Sequence, residues 1–73
     1  MFNDKIKTVG KWEIFANEDK TELMFTNGLT CAYAYLDCKD ANYFFRFDRT
    51  VVPKTVVNIG LVWAKRNMVS IYA

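Results

Sequence analysis

The side chains able to do chemistry in this sequence are few and scattered. Cys31 and Cys38 stand seven positions apart, and Asp37 and Asp40 flank the second of them. Histidine is absent, so the side chain that most often carries general acid–base work near neutral pH is missing. Two cysteines alone cannot supply the four ligands of a structural zinc site. Asp37 and Asp40 share one polar stretch, but they lack the further spaced oxygens of a calcium loop, and turn aspartates usually bond their own backbone. The glycines at 10, 28 and 60 are isolated, so no phosphate-cradling loop is present. This equipment points to a protein with no catalytic residue, no metal and no cofactor.

The cysteines also carry information about redox state. In one extended strand they would lie roughly 23 Å apart at about 3.3 Å per residue, far beyond the reach of a disulfide. Small secreted domains usually carry several bridges. The expectation is two reduced thiols in a cytoplasmic protein. Cys38 beside Lys39 in an exposed turn is the reactive-thiol alternative. The opening Met1-Phe2-Asn3-Asp4-Lys5 does not read as a secretory signal, and no apolar run approaches the roughly 18 residues of a membrane span.

What remains is binding chemistry, carried by aromatic and basic side chains. Twelve of the 73 residues are Phe, Trp or Tyr, and they concentrate at Tyr33, Tyr35 and Tyr43-Phe44-Phe45-Arg46-Phe47. The formal net charge is +2, and residues 50–73 hold Lys54, Lys65 and Arg66 with no acid. Three dispersed cations suit solubility better than a dense phosphate-binding patch.

The elements that must position these groups read as strands. Hydrophobic residues make up 52% of the chain, and Val, Ile and Thr together fill 17 positions, which excludes disorder and fits a single domain over 1–73. Period-two alternation places Trp12, Ile14 and Ala16 on one face, and Leu23 and Phe25 on one face of the next run. Asn27-Gly28 between two apolar runs predicts a hairpin with a two-residue type I′ turn. Cys31, Tyr33 and Tyr35 then share a side, and Tyr43, Phe45 and Phe47 oppose Phe44, Arg46 and Asp48. If those two strands pair, the Tyr33/Tyr35 face meets the Phe45/Phe47 face. Residues 55–64 read as a strand on their β-branched content, with Gly60 at a bend, and 68–72 as another. A short helix near 18–23, capped by Asn17, or at the C-terminus is the competing reading of those segments.

The fold expected is all-β: a small single-domain antiparallel meander of about five to six strands, a curled sheet or small barrel. A domain this small cannot bury every large side chain, and the adjacent Phe44-Phe45 must point to opposite faces. One face covers the core, while the other needs a partner, an identical subunit, or a terminal segment such as Met1-Phe2. The function expected is therefore non-catalytic binding of another protein, as a free-standing regulator or inhibitor, by analogy of size with viral accessory proteins. Homodimer formation accompanies this reading. The partner-binding residues expected are Phe44, Arg46, Asp48, Arg49, Lys65 and Arg66. The alternative is a single-stranded nucleic-acid module with Tyr33, Tyr35, Phe45 and Phe47 as stacking platforms and a basic C-terminal third.

Overall fold

The computed structural model describes residues 1–49 and 52–68. Five antiparallel strands, β1 (Asp4–Val9), β2 (Trp12–Ala16), β3 (Glu22–Thr26), β4 (Cys31–Lys39) and β5 (Asn42–Phe47), form one sheet in the order β1-β2-β3-β4-β5. One helix, α1 (Lys54–Asn67), follows. The sheet is an open meander with β1 and β5 at its edges, so the closed-barrel form of the expectation is not adopted.

Each hairpin connection is short and has a local cause. Between β1 and β2, Gly10 takes φ +60 at the first position of a two-residue loop, the place where glycine suits a II′ hairpin. Between β2 and β3, the Asn17 carboxamide oxygen accepts from the Thr21 and Glu22 amides at 2.9 and 3.1 Å. This is a loop rather than the helical turn considered at 18–23.

The Asn27-Gly28 hairpin forms, but with a different turn. Thr26 pairs with Cys31, so the loop has four residues. Asn27 has no positive φ; its side-chain oxygen accepts from Leu29 and Thr30, each at 2.9 Å, and only Gly28 takes φ +90. The two-residue primed loop lies instead at Asp40-Ala41, with φ +52 and +66, where Lys39 pairs with Asn42.

The largest correction is the C-terminal segment. Residues 55–64 are helical, and Gly60 is a helix contact rather than a strand bend. Val56, Gly60 and Ala64 recur every fourth residue and are the buried positions of α1. The small pair Gly60 and Ala64 lets the helix sit close on the sheet, where Phe25 fills the space a side chain at Gly60 would need. Lys65 and Arg66 in the last turn complement the helix dipole. Tertiary packing of that stripe overrides the strand preference of Val and Ile. The strand read at 68–72 lies almost wholly outside the described residues.

The core lies between α1 and one sheet face, around Ile14, Ala16, Leu23, Phe25, Ala34, Leu36, Val56 and Ala64. Phe25 meets Phe45 and Phe47 at ring centroids of 5.7 and 5.5 Å. Cys31 and Cys38 are both free and lie in the single continuous strand β4, which cannot bring them together.

Candidate protein-binding face

Strand parity sends every second side chain to the side that α1 does not cover. Cross-strand partners share a face, so the register builds this surface row by row. One row runs Lys5, Phe15, Met24, Tyr33; the next runs Glu22, Tyr35, Arg46; a third holds Asp37 and Phe44. Tyr35 and Phe44 are 42% and 37% exposed, which marks the open end of the surface. Phe2 lies against Tyr33 with ring centroids 5.3 Å apart, so the N-terminal segment covers part of it.

The charged groups here are matched to one another. Lys5 Nζ sits 2.9 Å from Glu13 Oε2, an exposed pair of the kind that contributes under about 1 kcal/mol. Arg46 Nε donates to Asp37 Oδ2 at 2.6 Å, and the Cys38 amide donates to Asp37 Oδ1 at 2.7 Å. Asp37 is the buried acid of the chain among the described residues, at 4% exposure. A hydrogen bond to Glu22, then the charge of Glu22, then slight burial raise the Tyr35 phenol above its ordinary pKa.

The six expected binding residues fall into separate places. Phe44 and Arg46 share the open face. Asp48 extends the ladder, since its amide donates to the Tyr33 carbonyl at 3.0 Å and its Oδ1 accepts from the Tyr33 amide at 2.9 Å. Arg49 lies 3.8 Å from Asp48 and lines a helix-side cleft of about 280 Å³ with Phe47 and Lys54. Lys65 and Arg66 are on α1, under the other face, and Arg66 lines a second cleft of about 310 Å³ with Lys7 and Trp63. Lys65 and Arg66 both lie in the last turn of the helix that forms in place of the expected strand, on the side of the sheet away from Phe44 and Arg46.

The register also separates the proposed stacking platforms. Tyr35 pairs with Arg46, while Phe45 pairs with Leu36 and Phe47 with Ala34. Tyr33 and Tyr35 are therefore on the open face and Phe45 and Phe47 on the core side. Asp37 and Cys38 belong to β4 and only Asp40 to the turn, so the loop pair of carboxylates and the turn thiol are not formed. Phe15 and Met24 join the open face; their parity was legible, but the neighbours they meet depend on the register.

Among the described residues, no cluster of three or more His, Cys, Asp or Glu side chains is arranged to hold a metal ion. No helix among them is long and apolar enough to cross a membrane. No family model, curated protein or solved structure matches this chain.

Proposed function

We propose that this chain is a small non-catalytic binding protein, a regulator or inhibitor that engages another protein through the sheet face opposite α1, in the cytoplasm with both thiols reduced. The observation that carries the reading is a surface of Phe15, Met24, Tyr33, Tyr35 and Phe44 whose cations Lys5 and Arg46 are already paired with carboxylates. Aromatic residues, methionine and arginine are enriched in protein interfaces, and charges satisfied within one partner need no new counter-charge on docking. Phe44 is the expected anchor, exposed and next to the Arg46–Asp37 pair. A nucleic-acid partner finds less here. Lys5 and Arg46 each lie against a carboxylate, and two of the four platforms point into the core.

Parallel capture from host lysate on the parent chain and on Phe44→Ala tests this. A protein retained at high salt by the parent and lost from an equally stable Phe44→Ala supports it. Retention of nucleic acid alone, released as salt rises, overturns it.

A further inference from the structure

The two edges of the sheet are built differently. β1 is guarded: its register shifts between Lys5 and Lys7, and Asp4, Lys5 and Lys7 all carry charge. Bulges and edge charges are how natural sheets refuse another strand. β5 has neither. Its residues Asn42–Phe47 pair with β4 in unbroken register, four of the six are aromatic, and its one charge, Arg46, is engaged with Asp37. Among the described residues, no strand pairs with β5 on its outer side.

The backbone fixes which groups are on offer there. The Asp48 amide donates to Tyr33, and the hairpin closes at Lys39 and Asn42, so the even-numbered residues of β5 direct their amides and carbonyls to β4. By alternation, Tyr43, Phe45 and Phe47 direct theirs outward.

We propose that β5 pairs antiparallel with β5 of a second copy of this chain, about a two-fold axis at Phe45, joining the two sheets edge to edge. An axis normal to the sheet keeps both helices on one side, so facing residues must have the same parity. Centred on Phe45, the register sets Phe45 opposite Phe45 and Tyr43 opposite Phe47, and all three outward-directed residues enter the ladder. It sets Phe44 opposite Arg46, so aromatic rings meet aromatic rings or a guanidinium and the two arginines do not face each other. Centred on Phe44, the ladder would place Phe47 beyond the strand, opposite the turn residue Ala41. This self-complementarity selects a second copy over a foreign strand.

Sedimentation equilibrium over a concentration series tests the proposal. A monomer–dimer equilibrium is expected, weakened by at least about tenfold in Tyr43→Lys, which puts a gatekeeper charge on the edge. Circular dichroism of Tyr43→Lys should match the parent, and Thr8→Lys on the guarded edge should leave association unchanged. In a background with both native cysteines replaced by serine, an oxidised mixture of Phe44→Cys and Arg46→Cys chains should form a cross-linked dimer that neither forms alone. A chain monomeric at every concentration, association undiminished in folded Tyr43→Lys, or cross-linking of Phe44→Cys with itself would each overturn it. Capture of a protein partner by monomeric Tyr43→Lys would leave the proposed function standing, so the two readings fail separately.

Discussion

The two faces of the sheet are written by the same strands, one residue out of phase. On the helix side, small residues (Ala16, Ala32, Ala34) alternate with Ile14, Leu23, Phe25 and Leu36, all fully buried or nearly so. α1 answers with Gly60 and Ala64. On the other side the residues are larger and mixed, and their carboxylates meet Lys5, Arg46 and the Tyr35 hydroxyl. The first face gains by excluding water from tightly packed apolar surface. The second satisfies its polar atoms internally while leaving aromatic area in solvent, as a surface reserved for something else does. Truncations should therefore act on stability from one face and on association from the other.

Phe25 gives the largest contrast. Phe25→Ala should cost about 3–5 kcal/mol, as core phenylalanines do, and that is a large part of what a domain of this size has. Phe44→Ala should cost less than about 1 kcal/mol, because its ring is partly in water already. Urea unfolding of both variants measures the difference. Similar losses from the two would break the distinction between the faces.

Gly60 sharpens it. In an exposed helix, Gly→Ala would gain about 1 kcal/mol. Here a methyl group would stand 2.8 Å from Phe25 Cζ and 2.9 Å from Cε2, against a buried ring held by Phe45 and Phe47. Overpacking of that kind costs about 1–3 kcal/mol, so Gly60→Ala should lower stability despite the better helix former. The denaturation midpoint should fall, and partly recover in Gly60→Ala with Phe25→Leu. A raised midpoint would mean the helix sits farther from the sheet.

How far the sequence could be read follows from the same contrast. The alternation of β2 to β5 was legible because one side is buried, and it put Phe44 and Arg46 opposite Phe45 and Phe47 correctly. β1 gives little strand signal because Asp4, Lys5, Lys7 and Thr8 leave little apolar alternation in an edge strand. In α1, Val56, Val57, Ile59 and Val62 favour a strand locally; the better signal is the Val56, Gly60, Ala64 spacing after Pro53. Lys65 and Arg66 belong to the same helix. Which aromatics meet across β4 and β5 depends on the register, where a one-residue slip exchanges the faces.

That register is set by the Asp40-Ala41 loop, so it can be tested directly. Ala41 at φ +66 occupies a conformation that costs a residue with a Cβ about 1–2 kcal/mol, partly offset in glycine by chain entropy. Ala41→Gly should raise stability by about 0.5–1 kcal/mol and leave Phe44 on the open face. A calorimetric melting scan reads the gain. A loss would mean that the loop, and the pairing of Lys39 with Asn42, is different.

The smallest effect expected lies on the open face, in the row Glu22, Tyr35, Arg46. The Tyr35 phenol is raised first by its hydrogen bond to Glu22, then by the charge of that carboxylate, then by slight burial. A raised folded-state value means that the protonated phenol is the form the fold favours. Its contribution to stability is therefore complete at neutral pH and below the ordinary phenol value, and is lost as pH rises through the higher folded value. Tyr35 is too exposed for the loss to be large. Glu22→Gln removes the negative charge beside the hydroxyl, so Tyr35 should then titrate at lower pH than in the parent. Following the Tyr35 ring carbon that bears the hydroxyl by NMR through the alkaline range reads the change. An unmoved Tyr35 in Glu22→Gln would leave Glu22 without its partner on this face, and the surface would then present a free carboxylate to whatever docks there.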